Sequence, residues 1–332
     1  MPTCHIAERA APGDPRAPRR ASLRLASHTR AILVLAAASS SAFATEGNGS
    51  SYPVGIETNY SGRLLPDGPH LFVNYSNYTA NHSKNNSGLD NPALAAYKLR
   101  VNTIGMRFRY AWPGVTVWGA RMETRVTQAL PTTDLTLDVR RPAPLPPLDR
   151  GGSRTGLGDI AIAPLVLGWH STTFHQVAGV EFYLKTGSYD VDRAVNTGRN
   201  YYQVAPFYAF TWQPARELEL SAKFRYAVNS KNNATNYKSG QEATLEFGGG
   251  YRVAPNWVIG ASGYLYRQTT DDVQNGAAVS GHGNRGRVNA LGPSITYNFS
   301  PRTHLTVKIQ REFSARNRPE GTRVWLMTRI PF

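Results

Sequence analysis

The sequence predicts an all-β fold: a single closed antiparallel transmembrane β-barrel of about twelve strands, with short periplasmic turns and long extracellular loops. Three observations predict it. Stretches of roughly ten residues alternate large apolar side chains with polar or small ones, the period of a strand. Short proline-bearing breaks alternate along the chain with long polar breaks. The stretches are preceded by an export-type N-terminus and closed by an aromatic residue, Phe332.

The alternation is clearest at residues 103–112. Ile104, Met106, Phe108, Tyr110 and Trp112 share one face, and Thr103, Gly105, Arg107 and Arg109 the other. Trp118, Ala120 and Met122 likewise oppose Gly119, Arg121, Glu123 and Arg125. Leu218, Leu220, Ala222, Phe224 and Tyr226 oppose Glu219, Ser221, Lys223 and Arg225. Leu305, Val307 and Ile309 oppose Thr306, Lys308, Gln310 and Glu312. A helical period fits none of these. No run of about 18 apolar residues exists, so a helical membrane protein is excluded. A barrel is not, because only alternate residues of its strands face lipid. A soluble sandwich alternates too, so periodicity leaves both open.

The breaks favour the barrel. Strands are expected at 70–79, 99–112, 115–128, 156–167, 175–186, 199–212, 217–228, 241–253, 256–268, 286–299, 303–314 and 321–332. Residues 135–139 form a further candidate, either a loop hairpin or an extension of the third strand. Short breaks fall at Trp112-Pro113-Gly114, Gln213-Pro214-Ala215-Arg216, Ala254-Pro255-Asn256 and Ser300-Pro301-Arg302. Proline cannot extend a ladder, so each ends a strand sharply. Long breaks fall between them, at 80–98, 129–155, 187–198, 229–240 and 269–285. Short turns on one side and long loops on the other is the asymmetry of outer-membrane barrels. Trp112, Trp118, Trp169, Tyr201, Tyr202, Trp212, Tyr251, Trp257, Tyr264, Tyr297 and Phe299 sit near strand ends and read as interfacial girdles, with ordinary core packing as the plain alternative. Val324, Leu326, Ile330 and Phe332 place an apolar alternation at the very end, the form a barrel-assembly machinery reads.

Residues 1–44 read as a signal peptide. Arg16, Arg19, Arg20, Arg24 and Arg30 precede the apolar run 31–38, and Ala42-Phe43-Ala44 offers small residues for cleavage after Ala44. Residues 45–69 have no clear period and read as an N-terminal periplasmic segment, leaving 70–332 for the barrel. The one cysteine, Cys4, lies in the signal, so no disulfide framework is available to the exported chain. The chain has 37 basic and 22 acidic residues; the signal removes six Arg and two acids, leaving 31 and 20, a net of +11. The cations are spread along strands, which argues against nucleic acid and for lipopolysaccharide and a charged lumen as partners.

From residue 156 the chain resembles the outer-membrane proteins of the meta-cleavage phenol-degradation family. The matching pieces are Gly156-Leu157-Gly158-Asp159, Pro164, Gly168-Trp169-His170, Lys185-Thr186-Gly187 with Tyr189-Asp190, and Asn196 with Gly198-Arg199-Asn200-Tyr201-Tyr202. Asn229, Thr235, Tyr237, Ser239-Gly240, Gly263-Tyr264, Gln268, Thr270, Asp272, Gly292-Pro293 and Glu320-Gly321 continue it. Lys185 stands where the family pattern has Pro, and Tyr202 where it has Trp. The resemblance implies a barrel that passes small hydrophobic or aromatic solutes across the outer membrane.

No catalytic, cofactor or metal residues are expected: no serine elbow, zinc spacing or phosphate loop occurs. Gly281-His282-Gly283-Asn284-Arg285-Gly286-Arg287 lacks a strand–loop–helix context and reads as an outer loop. The rival from another class is an outer-membrane phospholipase, which needs a Ser nucleophile beside a His base. Asn81-His82-Ser83 and His282-Gly283-Asn284 are the nearest candidates. A structural or adhesive barrel is the third possibility. The candidate functional residues are those expected to line the lumen: Arg107, Arg109, Arg121, Glu123, Arg125, Asp159, Glu181, Lys223, Arg225, Lys308, Gln310 and Glu312. Whether they line a path or only satisfy one another in a filled interior stays open at this point.

Overall fold

The computed structural model describes residue 46, residues 49–300 and residues 303–331. The signal at 1–44, Pro301-Arg302 of one turn, and Phe332 lie outside the described residues. Among the described residues, twelve long strands form the barrel: β1 Gly68–Ser83, β2 Leu94–Val117, β3 Ala120–Val139, β4 Ala161–His170, β5 Phe174–Tyr183, β6 Gln203–Trp212, β7 Leu218–Asn229, β8 Glu242–Ala254, β9 Trp257–Gln268, β10 Arg287–Asn298, β11 His304–Arg316 and β12 Pro319–Pro331. Each pairs antiparallel with its chain neighbours, and β1 closes on β12 from His70↔Pro331 to Ser83↔Pro319. Closure satisfies every ladder within the sheet, a requirement in hydrocarbon, where water cannot bond a free edge. No helix among the described residues is long and apolar enough to cross a membrane.

The register turns the sequence alternation into two surfaces. Between β7 and β8, Leu245↔Phe224 alternates with Glu246↔Lys223 and Thr244↔Arg225. Phe224 is 48% exposed while Lys223 and Arg225 are 1%. The same contrast runs round the barrel: Ile104, Phe108, Leu265, Leu291, Ile309 and Leu326 stand outward, and charged groups point inward and are buried. In water such an apolar belt would be a liability; in a bilayer it is the lipid face. Ile309, at mid-strand opposite Val324, is therefore expected to tolerate charge poorly. Ile309→Arg should cost about 2–4 kcal/mol, read as a lower urea midpoint for the barrel folded in vesicles.

All connections of one end are short: Trp118-Gly119, 171–173, 213–217, Pro255-Asn256 and 299–303. The other end carries 84–93, 140–160, 184–202, 230–241, 269–286 and the two-residue turn Asn317-Arg318. The short-turn end is the periplasmic one, as in other outer-membrane barrels.

Four expectations are corrected. The break at Trp112-Pro113-Gly114 is no hairpin turn. The ladder shifts register between Ala111 and Thr116 and continues to Val117↔Ala120, a bulge at the residue that cannot donate. The turn is Trp118-Gly119, with φ of 50° and 72°, the left-handed pair that a two-residue hairpin demands. Residues 156–160 are loop, not strand. Tyr201 and Tyr264 are 1% and 2% exposed and point away from any girdle, while Trp118 at 83% and Phe299 at 62% suit one. Finally, in the segment expected at 45–69 as periplasmic, the chain over 49–67 is fastened to wall residues of the lumen, and Gly68 and Pro69 already belong to β1. The candidate at 135–139 extends β3 and pairs with Gly152–Thr155 through Leu135↔Gly152.

Candidate functional site

The site is built by a strap, residues 49–67, that runs through the lumen. Its loop-end anchor is Glu46. The Thr235 hydroxyl donates to Glu46 Oε1 at 2.6 Å, and Asn232 Nδ2 donates to Oε2 at 2.8 Å. Burial, with the Glu46 carboxylate second, raises the Tyr189 phenol above its ordinary value. Tyr189 thus stays a neutral donor to Glu46, at 3.3 Å. From this end the chain descends to Asp67, which pairs with Arg121 beside the short turns, and enters β1 at Gly68.

Inside, the strap is fastened at both backbone and side chain. Tyr52, Val54 and Ile56 are 2%, 8% and 7% exposed and pack with Tyr183, Tyr264, Tyr266, Val288 and Trp325 of the wall. The Lys308 ammonium donates to Gly55 O at 2.7 Å, Ile56 O at 2.9 Å and Thr58 Oγ1 at 3.0 Å. The Tyr60 amide donates to Glu219 Oε1 at 2.8 Å. Gly55 has φ +95°, and a Cβ there would meet Gln310 Oε1 and the Tyr264 ring, so only glycine lets the strap pass.

The charged wall residues meet at one strap carboxylate. Glu57 pairs with Arg107 of β2, with Arg125 of β3 at 3.9 Å, and with Lys223 of β7 at 2.9 Å. Around it Arg109 makes a bidentate pair with Glu123 at 2.6 and 2.8 Å, and Arg125 Nε reaches the same carboxylate at 2.6 Å. Glu181 bridges Lys223 and Arg225, each at 3.3 Å. Gln310 accepts from Trp325 Nε1 at 2.9 Å, and Glu312 accepts from the hydroxyls of Tyr78 and Tyr264 at 2.7 and 2.5 Å. Ten of the twelve expected lumen residues therefore lie in this interior. Arg121 sits at the mouth, on Asp67. Asp159 is in the loop before β4.

Below Glu57 the short-turn end stays open as a cavity of about 780 Å³. Arg107, Arg109 and Arg125 form part of its roof, and Arg63, Arg252 and Arg329 part of its lower wall. Glu57 is the one carboxylate among its described lining residues. The vestibule is strongly cationic.

Asp159 and Asp272 explain the loop motifs. Asp159 accepts from the Gly187 and Arg199 amides, both at 2.8 Å, tying the Gly158-Asp159 piece to Thr186-Gly187 and Gly198-Arg199. Asp272 accepts from Tyr237 OH at 2.6 Å and from the Gly240 amide and Gln268 Nε2 at 2.7 Å. Both knots stand at the long-loop end and fix where the strap is anchored. The two departures from the family pattern touch: Lys185 Nζ lies 4.8 Å from the Tyr202 ring centre, a cation–π contact.

The residues sequence reasoning missed are Glu57, Tyr52 and Glu246. Glu246 follows the inward alternation of β8 and was readable from it. Tyr52, Val54 and Ile56 alternate within a polar segment, and that spacing was the one signal of a buried strap. The hydrolase candidate Asn81-His82-Ser83 does not assemble. His82 Nδ1 lies 3.1 Å from Asp90, not on Ser83, and Ser83 Oγ has no partner among the described residues. The hydrogen bond from Lys84 holds the Asp90 carboxyl below its ordinary value.

Among solved structures the chain is similar to an outer membrane channel from Pseudomonas putida F1, at 17% identity and TM-score 0.67, over 82% of this chain and 98% of that one. This likeness shows the fold. The toluene transporter TbuX of Ralstonia pickettii aligns at 10% identity and TM-score 0.46, over 88% of this chain and 97% of that one. The β domain of the Bordetella autotransporter Brka aligns at 12% identity and TM-score 0.43, over 80% and 100%. No curated protein matches the chain. The sequence matches the family described as "Putative MetA-pathway of phenol degradation" over residues 77–328. With strands β2 to β11, most of β12 and the second part of β1 inside that match, the chain belongs to this phenol-degradation family of outer-membrane barrels.

Proposed function

We propose that the protein is an outer-membrane channel that passes small hydrophobic or aromatic solutes, opened and closed by its own strap. The observation that carries this reading is the way the lumen is filled. A barrel that is only a scaffold fills its interior with wall side chains. Here the filling is a separate stretch of chain, joined to the wall covalently only at Asp67-Gly68 and seated above a vestibule of about 780 Å³. The family match supports the solute class.

The same reading makes the protein a channel and not a hydrolase, located in the outer membrane after cleavage near Ala44. It also places lipopolysaccharide against the outer belt and gives the C-terminal strand to the assembly machinery. Planar bilayers test the channel. Full-length protein is expected to show rare, small openings, and a variant lacking residues 46–58 a steady conductance several-fold higher. Equal silence from both, with folding verified by heat-dependent gel mobility, would end the channel reading. Phospholipid hydrolysis by the refolded barrel would restore the enzyme reading.

A further inference from the structure

We infer that Glu246, Lys223 and Arg225 form a lumen site for a monohydroxylated aromatic ring, and that Tyr52 of the strap occupies it as a tethered ligand. The inference deepens the channel reading and rests on it for its biological role, but the site itself stands on geometry. A tyrosine side chain is a phenol carrying an alkyl group in the para position. Tyr52 is 2% exposed. Its hydroxyl donates to Glu246 Oε2 at 2.5 Å. The Arg225 guanidinium lies 4.7 Å and the Lys223 ammonium 4.9 Å from its ring centre.

This combination selects for a ring and a hydroxyl together. Cations held against a ring attract its π face, more so when desolvated. The buried carboxylate requires a donor. Glu246 is 1% exposed, and both hydrogen bonds it accepts among the described residues, from Tyr52 OH and the Gly55 amide, come from the strap. When the strap leaves, Glu246 loses both at once. A free phenol restores the hydroxyl donor and the ring; an aromatic hydrocarbon restores only the ring, displaces the water that would otherwise hydrate the carboxylate, and leaves the acceptor unmade, which is costly. The site lies above Glu57, so a phenol held there is on the route to the cationic vestibule. Exchange between Tyr52 and solute would also couple strap release to the presence of solute, since each excludes the other.

The test is cavity complementation in the full-length refolded protein. Tyr52→Ala removes the tethered ring and leaves the site. In titration calorimetry, Tyr52→Ala is expected to bind phenol saturably, with affinity about tenfold or more above wild type, in which Tyr52 competes. Anisole, the methyl ether, has the ring without the donor and is expected to bind at least about tenfold more weakly than phenol. Adding Glu246→Leu to Tyr52→Ala should remove that preference. The proposal is overturned if anisole binds as well as phenol, or if folded Tyr52→Ala shows no saturable phenol binding. The anisole comparison needs no second substitution, so it stands even where the double variant fails to fold. Flux of phenol into vesicles, measured separately, keeps the two readings apart. Flux without saturable binding overturns this site and leaves the channel. Saturable binding without flux upholds the site and defeats the channel.

Discussion

Glu57→Gln is expected to open the barrel without unfolding it. Glu57 is the single strap carboxylate facing Arg107, Arg125 and Lys223 from three strands. Removing one member of a buried ionic cluster costs about 3–5 kcal/mol, because the charges left behind are unpaired. Not all partners suffer equally. Lys223 keeps Glu181 and Arg125 keeps Glu123, whereas among the described residues Arg107 keeps only the Thr127 hydroxyl at 2.9 Å. The penalty falls on the strap-bound state and is relieved when the strap leaves and water reaches Arg107. A loss of about 3 kcal/mol shifts that equilibrium roughly a hundredfold toward the open form. The check is open probability in planar bilayers beside a urea midpoint for the barrel. Open probability should rise steeply and the midpoint move little. A lowered midpoint with unchanged openings would show Glu57 to be a structural brace of the wall.

Most of the barrel was legible because a strand in a closed sheet repeats one instruction. At β7 each odd residue from Glu219 to Arg225 points inward and each even residue faces lipid, so a period of two fixes burial without knowledge of neighbours. Proline marked the turns at 213–217, Pro255-Asn256 and 299–303, whereas those at Trp118-Gly119 and 171–173 carry none. The strap was illegible for the opposite reason. It has no ladder, its backbone partners are wall side chains such as Lys308 and Glu219, and they lie more than 150 residues away. Nothing local distinguishes such a segment from a free one except the spacing of Tyr52, Val54 and Ile56. Trp112-Pro113-Gly114 misled because proline marks both turns and bulges, and which one forms depends on pairing with β3. Asp159 misled because its glycines fit a strand bend, while its acceptor role is set by amides at Gly187 and Arg199 in a different loop.

Glu123→Gln is expected to do the reverse of Glu57→Gln: weaken the wall and leave the gate. Glu123 is wholly buried and accepts three charge-assisted bonds, two from Arg109 and one from Arg125. These are the strong class of hydrogen bond. The register makes the carboxylate indispensable. Arg109 stands directly opposite Arg125 across β2 and β3, a like-charge pair that is destabilising unless something neutralises it. Glutamine offers one acceptor oxygen and turns an NH2 toward a guanidinium that can only donate. The arginines cannot shed their protons, so two buried cations are left facing each other. The expected cost is about 3–5 kcal/mol of barrel stability, read as a lower urea midpoint and a lower temperature for loss of the compact gel band. The strap contacts at Lys308 and Lys223 are untouched, so the protein that does fold should keep the rare openings of wild type. A wild-type midpoint would mean that water in the cationic vestibule below already screens Arg109 from Arg125, and that Glu123 contributes little to holding the wall. An altered open probability at a wild-type midpoint would instead place Glu123 in the gate, and the division between a rigid wall and a releasable strap would have to be redrawn at β2 and β3.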